Sequence, residues 1–175
     1  STKINWFINL NKSLNINPSN LFYGNKIINN NSQTIVSSNN STHIINSDTG
    51  FVEYTKNFSS HLKPIIHNNI LFLVTKKNFL VAVNLKDGKI IYSYDINKEV
   101  ADFLKTSKNE IQIKNIILIN NNIYLFLKNS YLIKFNIYGV IKEIIKLRGS
   151  INSQPILIDN SILYLNKKNK LLILN

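Results

Sequence analysis

The chain has 175 residues, 44% of them hydrophobic, which is enough for one ordinary domain with a filled core. It has no cysteine, which excludes disulfide staples and cysteine-based metal sites, and no apolar run approaches the roughly 18 residues of a membrane span. The formal charge of +12 rests on 20 Lys and a single Arg, Arg148.

Residues 1–9 contain Lys3-Ile4-Asn5-Trp6-Phe7, the pattern of an outer strand (D) from a split blade with no strands before it. They lack the segments of an export signal and read as the middle of a repeat. A degenerate first repeat covers 19–58, through Thr34-Ile35-Val36-Ser37 and His43-Ile44-Ile45-Asn46. The second, 62–96, is the clearest: a lead strand Lys63-Pro64-Ile65-Ile66 (A), then 70–74 (B), 79–84 (C) and 89–95 (D). The third, 114–147, has B at 123–127 and C at 131–136. The last, 154–175, has A at 154–157, B at 162–165 and C at 171–175, and lacks D. The B runs are apolar at nearly every position, as in strands covered on both faces, whereas D alternates like a half-solvated strand.

The asparagines that close C fall at 46, 84, 136 and 175, giving steps of 38, 52 and 39 residues. Short antiparallel strands at a step near 40 have the period of a β-propeller blade, roughly 40–50 residues. The expected fold is all-β: a β-propeller segment of about four blades of four-stranded antiparallel sheets, part of a seven- or eight-bladed ring. Between C and D, Asn46-Ser47-Asp48-Thr49-Gly50 and Asn84-Leu85-Lys86-Asp87-Gly88 end in the glycine that a bulged hairpin needs for positive φ. Asn136-Ile137-Tyr138-Gly139 is one residue shorter and predicts another turn type. The 52-residue step hides an inserted loop, 97–113. In it Val100, Phe103 and Leu104 are spaced for one face of a short helix, with Glu99 and Asp102 near its start. The insertion reads either as a connection packed on the rim or as a protrusion that touches a partner.

With A to D running outward from the axis, the B–C turns and D–A connections share one face. That face collects Lys76, Lys77, Lys128, Lys167, Lys168 and Lys170, with Lys98, Lys105 and Lys108 from the insertion. The other face collects Asn29–Asn31, Asn68, Asn69, Asn120–Asn122 and Asn160. Candidate partner contacts are therefore Lys76, Lys77, Lys128, Lys167 and Lys168, with Val100, Phe103 and Leu104. Lysines in hairpin turns are also ordinary solvated residues. Lys, Asn and Ile share AT-rich codons, and with 31 Asn and 30 Ile base composition explains much of the excess. One Arg argues against nucleic-acid base readout and leaves an acidic protein or anionic head groups as suitable partners.

Catalytic constellations are missing. His43, His61 and His67 show no metal-ligand spacing. Asp48 and Asp87 serve turns, and Glu53, Asp95 and Glu143 fall on outer strands without forming an acid/base pair. No GxSxG, P-loop or GxGxxG occurs. No catalytic residue, cofactor or metal is expected from these motifs.

The stretch Asn84-Leu85-Lys86-Asp87-Gly88-Lys89-Ile90-Ile91-Tyr92 resembles the quinoprotein (PQQ-type) propeller repeat, Ala-Leu-Asp-x-x-Thr-Gly-Lys-x-x-Trp. Asn46 to Tyr54 is similar, with Tyr54 at the Trp position. Trp6 holds that position in the partial first repeat, with Thr2 where glycine is expected, while the third repeat has Glu143 and Ile144 there. Residues 153–164 and His67-Asn68-Asn69-Ile70-Leu71-Phe72 resemble the family's Ser-Pro-x-Val-x-x-Asn-Gly-x-Val-Tyr lead. The resemblance spans essentially the whole chain. Its dehydrogenase branch binds PQQ and Ca²⁺ and carries an adjacent Cys pair and a catalytic Asp, none of which can be carried over here.

The short turn Asn136–Gly139, then Arg148-Gly149-Ser150-Ile151-Asn152-Ser153-Gln154-Pro155, then a last blade is similar to the C-terminal half of the BamB-like propeller lipoproteins of the outer-membrane assembly machinery. That resemblance implies a non-enzymatic, periplasmic, outer-membrane-associated scaffold. It would bind the barrel-inserting subunit and be anchored by a lipid outside this segment. A fragment of a PQQ-dependent dehydrogenase and a generic propeller binding or sensor module are the alternatives.

Overall fold

The computed structural model describes residues 3–10, 26–38, 40–107, 110–159 and 161–174. Ile28–Asn30 (β1), Gln33–Ser38 (β2), Ser41–Asn46 (β3) and Val52–Lys56 (β4) make the first sheet. Ile65–His67 (β5), Ile70–Val74 (β6), Phe79–Asn84 (β7) and Ile90–Asp95 (β8) make the second, followed by a helix, Ile96–Leu104 (α1). Ile113–Ile119 (β9), Asn122–Leu127 (β10), Tyr131–Asn136 (β11) and Ile141–Lys146 (β12) make the third. Ile156–Ile158 (β13), Ser161–Leu165 (β14) and Leu171–Leu174 (β15) make a three-stranded fourth sheet. In every sheet, chain neighbours are sheet neighbours. This is the all-β series of meanders that the repeat predicts.

Two boundaries differ from the sequence reading for a common reason. The lead strands begin at Ile65 and Ile156, just past Pro64 and Pro155, because proline lacks the N–H that a ladder needs. Residues 3–9, expected as an outer strand, lie in none of the sheets. The helix starts one residue before the expected insertion. Asp95 caps it, its Oδ1 accepting from the backbone of Asn97 (3.0 Å) and Lys98 (3.2 Å). Lys105 closes it in the left-handed conformation at φ 54°.

The asparagines have a backbone role that composition concealed. Asn68 and Asn69, and again Asn120 and Asn121, both have positive φ, as the two-residue turns β5–β6 and β9–β10 require. Asn is the non-glycine residue best suited to that conformation. At the β11–β12 hairpin the side chain shapes the turn: Asn136 Oδ1 accepts from the backbone of Tyr138 and Val140, both at 3.0 Å.

The glycines of the repeat motif are covered by aromatic rings. A Cβ on Gly50 would meet Trp6 Cδ2 at 2.7 Å, and one on Gly88 would meet Tyr54 Cδ1 at 2.6 Å. The Tyr94 ring covers Gly139 in the same way, stacked on Tyr92 with centroids 5.0 Å apart. Each dock carries a hydrogen bond into the turn: Trp6 Nε1 to Ser47 O (2.7 Å), Tyr54 Oη to Lys86 O (2.8 Å) and Tyr92 Oη to Ile137 O (2.9 Å). Burial, with the neighbouring Tyr94 second, pushes the Tyr92 hydroxyl well above the usual phenol range.

The chain forms two compact units, 1–77 with 81–91, and 78–80 with 92–175. In the first, Ile35, Ile44, Leu71, Phe72 and Val83 are fully buried, and Gln33 Nε2 donates to Leu85 O (3.1 Å). In the second, Phe126, Leu132, Ile151, Ile162 and Tyr164 form a core that joins the third and fourth sheets. The B runs β6 and β10 are buried as expected, but in the fourth sheet the B run β14 buries only alternate residues, Ile162 and Tyr164, while β13 is exposed throughout and β15 at alternate positions.

His43, on β3, has Nδ1 3.2 Å from Thr55 Oγ1, and burial lowers its pKa below the usual 6.5. The unfolded chain therefore takes up this proton first. The stability tied to His43 is present above about pH 6.5 and is lost on acidification below it. The urea midpoint is expected to fall between pH 7.5 and 5.5, and to fall less in His43→Gln. Equal falls in both proteins would remove His43 as the source.

Candidate functional site

Hydrogen bonds between turns fix which loops share an end of each sheet. Lys76 N donates to Ser59 O (3.0 Å), Lys128 N to Gln112 O (2.9 Å) and Lys167 N to Ser150 O (3.0 Å). Each β6–β7, β10–β11 or β14–β15 turn is thus tied to the connection entering its own sheet. At the opposite end Ser47 N donates to Ser32 O (2.8 Å), Leu85 N to Asn69 O (2.9 Å) and Ile137 N to Asn121 O (3.1 Å). Lysine turns and asparagine turns therefore occupy opposite ends of the second and third sheets.

Lys76, Lys77, Lys128, Lys167 and Lys168 are all exposed. Lys76 and Lys77 belong to the first unit; the other three share the second with α1. Lys98 and Lys105 are exposed on and just past the helix, while Lys108, Asn160 and Asn175 lie outside the described residues.

A recess of about 210 Å³ opens under α1. Val100 and Leu104 line it from the helix, and Leu127, Tyr131, Ile133 and Ile144 from the third sheet. Buried Asn78 straps this region together. Its carbonyl accepts from Ile96 N (2.9 Å), and its Nδ2 donates to Ile111 O (2.5 Å) and Asn97 Oδ1 (3.4 Å). Phe103 is not part of the lining and is 48% exposed. The expected apolar face is therefore divided: Ile96 and Ala101 are buried, Val100 and Leu104 frame the recess, and Phe103 faces water.

A second cleft, of about 540 Å³, is lined by Arg148, Lys167, Lys168 and Lys170, with no carboxylate among its lining residues. Asn166 sets the turn that carries the lysines, its Oδ1 accepting from Lys168 N (2.9 Å) and Lys170 N (3.0 Å). Its Nδ2 donates to Arg148 O (3.4 Å), which ties the arginine's backbone to the same turn. Ser150 Oγ donates to Lys128 O (2.9 Å), so the β10–β11 turn and the basic cleft adjoin. Burial raises the pKa of Tyr164, and the nearby Arg148 partly offsets this. Sequence reasoning used Arg148 as an argument against base readout and as part of the Arg148–Pro155 resemblance, and missed it as a site residue. The one available signal was its place in the connection between the third and fourth sheets.

The arrangement can attract an anionic surface and seat an apolar side chain. Among the described residues, no three His, Cys, Asp or Glu gather as a metal site.

Among solved structures, BamB from Moraxella catarrhalis matches 85% of this chain and 42% of its own, with a TM-score of 0.68 at 13% identity. The fold is a β-propeller segment. The computationally designed Ika4 protein gives a TM-score of 0.65 at 10% identity, covering 86% of this chain and 89% of that one. The designed Ika8 protein gives 0.64 at 10% identity, covering 86% and 45%. The chain thus spans less than half the length of BamB or Ika8. No family model matches the sequence, and no curated protein does.

Proposed function

We propose that the chain is a non-enzymatic propeller scaffold of the BamB kind, which binds a protein partner and supports assembly and insertion of β-barrel proteins into the outer membrane. The observation that carries this reading is the basic cleft beside the α1 recess at the lysine end of the second unit, in a fold like that of BamB. Stacked sheets hold the loops rigidly, so a partner meets a preformed surface and little ordering entropy is lost on binding. Arg148, Lys128, Lys167 and Lys168 draw in an acidic patch, and exposed Phe103 and the recess framed by Val100 and Leu104 supply the apolar contact. Lys76 and Lys77 form a separate exposed basic pair in the first unit. The partner is the barrel-inserting subunit, the compartment is the periplasm, and the membrane anchor lies outside this segment.

The test is capture from solubilised envelope with the tagged chain. The barrel-inserting subunit is expected in the eluate. Reversing Lys128, Lys167 and Lys168 to Glu should cut its recovery at least about tenfold, as loss of complementary charge at an interface does. Failure to recover that subunit would sink the assembly role. Equal recovery by the reversed variant would sink this surface.

A further inference from the structure

The basic cleft between the β12–β13 connection and the β14–β15 turn has a fixed polar wall behind its lysines. Asn166 lines the cleft and is only 5% exposed. Its Oδ1 is engaged by the backbone of Lys168 and Lys170, which fixes the amide in place. Nδ2 carries two hydrogens. One goes to Arg148 O at 3.4 Å, and the other has no acceptor among the described residues.

Gly149 keeps this amide approachable. Its backbone lies at φ +113°, in the region that favours glycine, and a Cβ there would meet Asn166 Nδ2 at 3.2 Å. A side chain at this position would crowd the amide. Without one, an acceptor from outside has room to reach it. The adjoining Ser150 also lines the cleft, and its backbone N–H has no acceptor among the described residues either.

Charge completes the site. Arg148, Lys167, Lys168 and Lys170 line the cleft without a carboxylate beside them. None of the four forms an ion pair among the described residues, whereas Lys89 pairs with Asp87 at 3.6 Å. Cations gathered in one cleft repel each other, and an anion that meets them together relieves that repulsion.

We infer that this cleft binds a phosphate monoester group, borne by a lipid head group or taken up as free phosphate. A carboxylate brings one charge and two oxygens. A phosphate monoester brings a charge of about −1.5 to −2 at pH 7 and three acceptor oxygens. It matches four cations and two unclaimed N–H groups, where a carboxylate leaves most of them unmet. Arg148 is the forked donor of the set, and the lysines act as point charges around it. The inference stands apart from the protein partner proposed above, because every group it uses belongs to the second unit and no partner enters its test.

The test is titration of the isotope-labelled chain with inorganic phosphate at constant ionic strength, followed by amide NMR. The Gly149 and Ser150 backbone amides and the Asn166 side-chain amide are expected to shift and saturate. Arg148→Gln and Lys168→Gln should each weaken binding about tenfold, as loss of a charge-assisted contact does. Lys168 is exposed, so its variant keeps the fold even where Arg148→Gln does not. Lys77→Gln removes the same charge from the first unit and should leave binding unchanged. Acetate should bind at least about tenfold more weakly than phosphate. Sedimentation with vesicles of phosphatidylcholine and phosphatidic acid separates the two sources. Co-sedimentation that Lys168→Gln abolishes assigns the site to a lipid head group, and phosphate binding without co-sedimentation assigns it to free phosphate. Three results overturn the inference: shifts that never saturate, acetate binding as tightly as phosphate, or Lys77→Gln weakening binding as much as Lys168→Gln.

Discussion

Replacing Gly88 with alanine is expected to destabilise the protein by about 2–4 kcal/mol, one of the two largest single-residue effects foreseen. Two costs act together. The backbone sits at φ +68°, where an L side chain is strained, and the new Cβ would stand 2.6 Å from both Cδ1 and Cγ of the Tyr54 ring. The ring cannot simply withdraw, because its hydroxyl is bound to Lys86 O at 2.8 Å. Tyr54→Ala removes the clash and leaves the backbone strain. The double variant should therefore be less destabilised than the two single changes added together, by about 1–2 kcal/mol. Urea denaturation of the four proteins measures this coupling. A Gly88→Ala protein within about 0.5 kcal/mol of wild type would show that the ring does not need the glycine.

Phe126→Ala is the second. The side chain is fully buried on β10, its ring centroid lies 6.2 Å from that of Tyr164, and the two planes are inclined by 59°. Around it stand Leu132, Leu147, Ile151 and Ile162, so truncation opens a cavity where the third and fourth sheets meet. A loss of about 3–5 kcal/mol is expected, the usual range for deleting a buried phenyl ring. Hydrogen exchange should show the greatest loss of protection in β10 and β14. A uniform loss across both units would mean that the second unit has no separate core. Lys142→Ala, on an exposed position of β12, is expected to stay within about 0.5 kcal/mol of wild type.

The strands and their order were legible because apolar runs of strand length, broken by Asn and Gly at a step near 40, leave little choice of architecture. The turn glycines were legible for the same local reason: their φ is demanded by the hairpin, whatever packs above. What covers Gly50, Gly88 and Gly139 was not. The rings come from 34 to 45 residues earlier in the chain (Tyr54 to Gly88, Tyr94 to Gly139), and a single sequence does not print that pairing. The excess of Asn read as codon usage until Asn68, Asn69, Asn120 and Asn121 proved to hold left-handed turns. At the candidate site, the spacing of Val100, Phe103 and Leu104 gave a helix but not its rotation. That is set by Ile96 and Ala101 going inward and by Asn78 tying the helix down. Arg148 became a site residue only once Asn166 brought its connection beside the Lys167–Lys170 turn.

In each dock the aromatic ring precedes the glycine it covers. On a ribosome, Trp6, Tyr54 and Tyr94 emerge before Gly50, Gly88 and Gly139, and at roughly 5–20 residues per second the delay is seconds. Hairpins close in microseconds, so every ring waits, uncovered, for a turn not yet made. The order of synthesis thus sets the order of docking, from the N-terminal side onward. A refolding chain, with all its rings and turns released together, has no such schedule and can pair a ring with the wrong glycine. Refolding from denaturant is therefore the condition in which mispaired docks should accumulate, and synthesis the one in which they should not.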